Sequence, residues 1–377
     1  MDKQKRPKIE KNLLLAVSFT ALFFLAAGAA LGLWSTREMK EVVVDQFNEQ
    51  QLVIARHVST LIERQLHLLK KELLFLKRQD VHGAFDPETY STVIQQAFYR
   101  VLESGLWKIE IIDLKTLKNY TYMPYKQWSL KDATQDRLDI LPSLETLDAQ
   151  EVWISPTQIR PFGISLLLGT SLPGDSPRVL LFDLNLSWFL PPFLSGIRSG
   201  KTGYAWIIDE KGNFLYHPNT DFIGKSAFEI REEKYPGTPV GMINFIQKEK
   251  MLQGQAGAGW FFSGWHRGIT GKIKKLIAYC PLIISDNPPI EWSVAVVAPV
   301  SEIEGAVHRG SIRLFLLQGF VIVIIFLGAA ALLFFEIRWA RLLEDRVDRR
   351  TEELKKSEEK YRSLVESAED FIFTVDP

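Results

Sequence analysis

Two uninterrupted apolar runs, residues 13–34 and 314–335, bracket a long stretch in which apolar and polar positions alternate. Each run is about 22 residues long, and a helix rising 1.5 Å per residue needs ~20 to cross a hydrocarbon core about 30 Å thick. Neither run contains a charged side chain. Lys3, Lys5, Arg6, Lys8 and Lys11 precede the first; Arg338, Arg341, Arg346, Arg349 and Arg350 follow the second. The positive-inside rule therefore predicts two membrane helices with both termini in the cytoplasm and the intervening residues outside. A competing reading makes 13–26 a signal-peptide core with Ala27-Gly28-Ala29 as its cleavage site, but the run continues through Leu31, Leu33 and Trp34. Gln318, a polar residue inside the second run, suits either a helix–helix hydrogen bond or the membrane interface.

Between the runs, Phe47, Ile54, Val58, Leu61, Leu69, Leu73 and Leu76 recur at helical steps, with no Pro or Gly over 35–79, which predicts one long helix. Its stripe fits packing on the chain's own domains or pairing with a second copy. Asp86-Pro87-Glu88 reads as a helix start. Period-two patterns then predict strands at 106–113, 119–123, 151–155, 164–171 and 178–184. A second set follows at 204–209, 213–217, 257–265, 274–281 and 292–299, with helical stretches near 227–233 and 242–252. Ile111-Ile112-Asp113 and Ile207-Ile208-Asp209 occupy equivalent places in the two sets, the mark of a duplicated α+β unit.

Composition narrows the function. Of 377 residues, 46% are hydrophobic, and 45 basic residues balance 45 acidic ones, which describes a globular protein with spans and gives nucleic acid no electrostatic footprint. Cys280 is the only cysteine, so no intrachain disulfide or cysteine metal cluster can form. No P-loop, His-Glu-x-x-His, Gly-x-Ser-x-Gly, kinase or cyclase motif is present. No histidine pair stands at metal-ligand spacing.

The segment Gly200-Lys201-Thr202-Gly203-Tyr204-Ala205-Trp206-Ile207-Ile208-Asp209, with Gly212, His217-Pro218-Asn219 and Ile223-Gly224-Lys225, resembles the signature of the membrane-proximal module of double Cache sensor domains. Read physically, it is fold chemistry: Gly212 permits a turn with positive φ, and Pro218 ends an edge strand. The resemblance implies two tandem PAS-like antiparallel-sheet modules on a long N-terminal helix, flanked by two transmembrane helices. The divisions expected are a cytoplasmic N-terminus 1–12, a first span 13–34, a stalk helix 35–80, a distal module 81–197, a proximal module 198–311, a second span 314–335, a signalling helix 336–360, and the start of a truncated PAS domain 361–377.

The resemblance also implies a ligand site in the distal module. Where amino-acid-binding members carry Arg-x-Trp-Tyr, this chain has Lys126-Gln127-Trp128-Ser129, followed by Trp153, Ser155 and Asp183; only Trp128 and Asp183 match. Lys126 lacks the bidentate fork of arginine. The candidate pocket is Tyr120, Tyr122, Tyr125, Lys126, Trp128, Trp153, Arg160 and Asp183, with aromatic walls and a few charged groups suited to a small organic ligand. Ordinary strand-face packing accounts for the same aromatics. The implied ligand is an amino acid, organic acid or amine, with no cofactor or metal.

Beyond the second run, Ala340, Val347, Leu354 and Tyr361, with Leu343 and Leu364, keep a heptad interrupted by Arg350 and Ser357. Residues 349–366 are similar to the linker and opening helix of PAS domains in sensor histidine kinases, with 370–376 as the first strand. The expected protein is thus a homodimeric sensor of the bacterial cytoplasmic membrane, the input half of a histidine kinase that signals to a response regulator. The alternatives are a diguanylate cyclase or chemoreceptor output, or an ectodomain that binds a partner protein or is structural.

Overall fold

From Leu33 to Gln79 the chain holds neither glycine nor proline, and helix α1 (Arg6–Gln79) passes through it unbroken. In this computed structural model, which describes residues 6–79, 86–101, 104–145, 151–160, 163–172 and 177–372, two compact units form: 40–306, and 1–39 with 307–377. Within the first unit, Ala55, Val58, Ile62, Leu66, Leu69, Leu73 and Leu76 of α1 are buried at steps of three and four. Each such leucine contributes roughly 1.5–3 kcal/mol by leaving water. The stripe packs on the chain's own sheets, and is rotated slightly from the expected one, leaving Phe47, Ile54 and Leu61 half-buried.

Helix α2 (Pro87–Arg100) starts as the sequence predicts: the Asp86 carboxylate accepts the N–H groups of Glu88 and Thr89, and proline fills the first turn. Asp86→Ala should lower the stability of the first unit, read as a shift of its equilibrium unfolding curve to lower denaturant. After α2 come β1 (Leu106–Asp113), β2 (Lys118–Tyr122), β3 (Ser129–Asp132), α3 (Gln135–Leu138), α4 (Leu141–Glu145), β4 (Trp153–Ile154), β5 (Gln158–Arg160), β6 (Gly163–Leu172) and β7 (Arg178–Asn185). The strands form an antiparallel sheet in the order β3-β2-β1-β7-β6-β4, with β5 also paired to β6. The sequence pattern missed β3, β5, α3 and α4, all too short to show a period.

Short helices α5 (Leu186–Phe189) and α6 (Pro191–Leu194) lead to β8 (Tyr204–Ile208), β9 (Phe214–Tyr216), α7 (Glu229–Lys234), α8 (Gly241–Glu249), β10 (Gly257–His266), β11 (Ile269–Asp286) and β12 (Pro289–Pro299). The second sheet has the order β10-β11-β12-β8-β9. Taken from the other end, it repeats the run β2-β1-β7-β6-β4, with β8 in the place of β1 and β12 in that of β7. The two Ile-Ile-Asp segments end the equivalent strands, and both aspartates cap the following turn: Asp113 accepts from the N–H groups of Lys115 and Thr116, Asp209 from those of Lys211 and Asn213.

Each sheet turns one face to α1. Ile109, Ile111, Leu166, Leu168, Leu180 and Phe182 of the first sheet and Ala205, Ile207, Leu282, Val294 and Val296 of the second share one core with the α1 stripe. Polar ties fix the register along the helix: Lys77 Nζ donates to Thr170 Oγ1 at 3.1 Å, and Ser59 Oγ to the Pro281 carbonyl at 2.8 Å. The opposite faces carry separate covers. Leu141 and Leu144 of α4 pack on Ile112, Trp153, Leu167, Val179 and Leu181; Ile230, Ile243 and Ile246 of α7 and α8 pack on Trp206, Ile208, Ile277 and Val297.

In the other unit, a Cβ on Gly32 would lie 2.7 Å from the Phe315 ring and 2.8 Å from Gln318 Oε1, and one on Gly28 3.2 Å from Ile322. The two apolar runs therefore pack side by side through glycine, and Gln318 faces the first run. Among the described residues one helix, Ser301–Glu366, is long and apolar enough to cross a membrane; the side chains at the start of the first run lie outside the described residues. Helix α9 (Ser301–Ile372) continues through residues 370–372, where a PAS strand was expected, and the rest of that strand lies outside the described residues.

Candidate ligand site on the first sheet

The covered face of the first sheet is apolar at one end and charged at the other. Because strand side chains alternate, the cross-strand pairs Lys108↔Asp183 and Glu110↔Leu181 put Lys108, Glu110 and Asp183 on the same face as Ile112 and Val179. Glu110 is 3% exposed and Asp183 is completely buried. Two buried carboxylates this close require compensation, since an unpaired buried charge costs several kcal/mol.

Arg137 of α3 supplies it. Its guanidinium, 1% exposed, donates from Nε to Glu110 Oε2 at 2.8 Å and from Nη2 to Asp183 Oδ2 at 2.7 Å. Lys108 Nζ lies 3.2 Å from Glu110 Oε1 and 3.5 Å from Asp183 Oδ2. Arg160 of β5 reaches over from the cover, with Nη1 3.3 Å from Asp183 Oδ2 and Nη2 3.0 Å from Asp136 Oδ2. Trp107 Nε1 donates to Asp183 Oδ1 at 3.0 Å, and Asn119 Nδ2 to Glu110 Oε1 at 2.8 Å. Three cations thus meet three carboxylates, and the cluster is neutral without any added ion.

Burial works against the Arg137 guanidinium, but Glu110 and then Asp183 outweigh it and hold its pKa above the ordinary arginine value. Burial likewise opposes the Asp136 charge; the Thr134 hydroxyl, Arg137 and Arg160 overcome it and depress that carboxyl. The deepest members, Glu110, Asp183 and Arg137, are sealed from solvent, whereas the Arg160 side chain is 23% exposed. Arg160 is therefore the cation of the cluster that can swing away at least cost.

The eight residues singled out from sequence do not converge. Asp183 and Arg160 meet in the cluster, and Trp153 lies on the same face in the apolar part of the cover. Tyr120 and Tyr122 pair with Ile111 and Ile109 and point to the α1 face. Tyr122 is buried there, its hydroxyl donating to the Pro87 carbonyl at 3.3 Å, and burial raises its pKa. Trp128 packs beside Tyr120 and donates to Glu88 at 3.0 Å. Tyr125, at φ 58, is exposed and meets Tyr99 edge-on at 5.7 Å; Lys126 is exposed beside it. Sequence reading missed Trp107, Lys108, Glu110 and Arg137. The alternation Lys108-Ile109-Glu110-Ile111 carried a signal for two of them, charge at every second position of an otherwise buried strand. Arg137 sits in a segment with no period.

The Cache domain profile matches residues 165–307. That segment of the chain matches the Cache domain family. The matched Cache segment begins at β6, includes Asp183 and takes in the whole second sheet, while Lys108, Glu110 and Arg137 lie before it. No curated protein matches the sequence. Among solved structures, the extracellular domain of vpHK1S-Z8, a histidine kinase by designation, is similar at TM-score 0.51 and 11% identity, over 71% of this chain and 96% of that one. The sensory domain of the Campylobacter jejuni chemoreceptor Tlp3 with isoleucine bound has TM-score 0.49 and 10% identity, over 70% and 97%. The ligand-binding domain of the Pseudomonas fluorescens chemoreceptor CtaA with L-isoleucine has TM-score 0.45 and 16% identity, over 72% and 98%.

The Cache signature motif serves the fold. A Cβ on Gly203 would lie 2.3 Å from the Ser199 carbonyl oxygen and 2.7 Å from that of Val297, so only glycine fits. The N–H groups of Lys201 and Thr202 donate to the Glu302 carboxylate at 3.0 and 2.8 Å, tying the Cache loop to the first turn of α9. Thr157 Oγ1 donates to Asp209 at 3.0 Å, a polar link from the first sheet to the second.

Proposed function

We propose that this protein senses a small organic molecule outside the cytoplasm and passes the signal across the membrane, as the input half of a two-component sensor histidine kinase that acts on a response regulator. The observation that supports the sensing role is the charge cluster around Asp183, buried at its centre and bordered by the partly exposed Arg160. Buried ion clusters are costly to build compared with apolar packing, so convergent charged groups kept in such a place suit the recognition of a polar ligand. An amino acid, an organic acid or an amine matches the chemistry: an ammonium group takes a share of Asp183 while a carboxylate takes Arg160 or Lys108. The aromatic residues Tyr120, Tyr122, Tyr125 and Trp128, with Lys126, then shape the other side of the domain, and Trp153 lines the apolar end of the cover.

The two apolar runs act as the two spans, with the sheets on the outer side of a bacterial cytoplasmic membrane. Val347, Leu354, Tyr361, Leu343 and Leu364 are all exposed on α9, and pairing with the same heptad of a second copy covers them in a homodimer. Calorimetry on the full chain in detergent micelles, with a panel of amino acids, organic acids and amines, tests the sensing role. A ligand should be found whose affinity falls about tenfold or more in Asp183→Asn or Arg160→Gln, a loss of ~1.4 kcal/mol or more. A ligand that binds both variants unchanged removes this site. No binding across the panel removes the small-molecule reading and leaves a partner protein as the stimulus.

A further inference from the structure

The duplication allows the same position to be compared in the two sheets. Aligning Ile111-Ile112-Asp113 with Ile207-Ile208-Asp209 places Tyr204 where Lys108 stands and Trp206 where Glu110 stands. Across the ladder, Asp183 faces Lys108 and Val297 faces Tyr204. Both buried carboxylates of the first sheet are thus replaced by uncharged residues in the second. The arginine of the cover is retained: Arg231 of α7 sits with its guanidinium 5.7 Å from the Trp206 ring and 5.2 Å from the Phe214 ring.

More basic groups crowd the same place. Lys275 of β11 is completely buried and donates from Nζ to Tyr204 Oη at 2.9 Å and to the Trp265 carbonyl at 2.5 Å. His217, 5% exposed, accepts the Asn219 N–H on Nδ1 at 3.0 Å, which puts its ring proton on Nε2. No carboxylate pairs with Arg231, Lys275 or His217 among the described residues. Burial and mutual repulsion press on the group: burial takes Arg231 down to about 10, and burial, then Arg231, pushes Lys275 well below the ordinary lysine value. Arg231 donates from Nη1 to the Ala227 carbonyl and to Gln247 Oε1, and among the described residues Nε and Nη2 have no hydrogen-bond partner.

Arg231, His217, Tyr204, Tyr235 and Ser263 line a cavity in which the centre of a water-sized sphere can range over about 20 Å³, more room than a single fixed water needs. Trp206, Phe222, Phe261, Gly264 and Trp265 complete its wall. A planar guanidinium with two free donor positions suits a carboxylate better than a spherical ion, and the aromatic wall suits a hydrogen or a methyl group. We propose that the cavity on the second sheet binds a small monocarboxylate of formate or acetate size, which supplies the negative charge that Glu110 and Asp183 supply in the first sheet.

Thermal unfolding and calorimetry of the full chain in detergent micelles, with sodium formate and sodium acetate against sodium chloride at equal ionic strength, test this. The carboxylates should give saturable stabilisation and measurable heat where chloride gives neither, and Arg231→Gln should weaken binding by about tenfold or more, since a charge-assisted pair is lost. If Arg231→Gln does not unfold cooperatively, His217→Gln decides in its place, with a several-fold loss of affinity expected. An equal response to chloride, no saturable response to either carboxylate, or unchanged affinity in the variant that folds would overturn the proposal.

Discussion

Replacing Arg137 with methionine is expected to lower the stability of the first unit by about 3–5 kcal/mol, the usual result of removing one partner from a buried ion cluster. The substitution keeps the volume and the apolar stem but leaves Glu110 and Asp183, 3% and 0% exposed, with only Lys108 and the more exposed Arg160 to offset them. Denaturant unfolding of the full chain in micelles reads the loss. A loss under about 1 kcal/mol would mean that water reaches the cluster, since exposed pairs are worth no more than that.

The second large effect is acid destabilisation centred on the second sheet. Burial, then Lys275 and Arg231, pushes His217 well below the ordinary histidine value, and burial, then Lys275 and Arg267, brings His266 down to about 4. Both rings are packed among aromatics: His217 against Tyr204, Phe214, Phe222 and Trp265, His266 on Tyr204. Glu302 acts on His266 in the opposite direction, as the weakest of its influences. As pH falls below the unfolded value of about 6.5, the unfolded chain binds protons that the folded chain refuses, so stability declines by up to ~1.4 kcal/mol per pH unit for each histidine. The expected loss between pH 6.5 and pH 5 is on the order of 2–3 kcal/mol, and His217→Gln should remove about half of it. Carboxylate-free buffers keep the cavity on the second sheet out of the measurement. Glu210 and Glu291, raised by burial, work in the opposite sense just above the ordinary glutamate value. Asp86, Asp113, Asp136 and Glu302, all depressed, lose their contribution only at lower pH. A flat profile from pH 8 to 5, about the span in which histidines titrate, would show that the two rings reach solvent.

The two effects share an origin. In each sheet an arginine from a short cover helix is driven into the face opposite α1, but the first sheet meets it with carboxylates and the second with aromatic rings. The first is neutral in itself, and the second carries excess positive charge.

Much of this was written locally in the chain. The long helix, the Asp86 cap, most of the strands, the Ile-Ile-Asp duplication and the Gly200–Asp209 motif each rest on period, capping or turn chemistry within a few residues, and physics on that scale depends little on the rest of the molecule. Face and partnership do not. Tyr120 and Tyr122 alternate as a pocket wall would, yet the pairing of Tyr122 with Ile109 turns them toward α1, and only the strand register decides that. Arg137 meets carboxylates 27 and 46 residues away in sequence, from a four-residue helix too short to announce itself, so its role exists only once the cover has closed. The sequence alone determined that there are two sheets on a long helix, because each element is specified by its neighbours along the chain; the tertiary structure decided where charge is buried and what it meets, because burial is a property of packing and not of order.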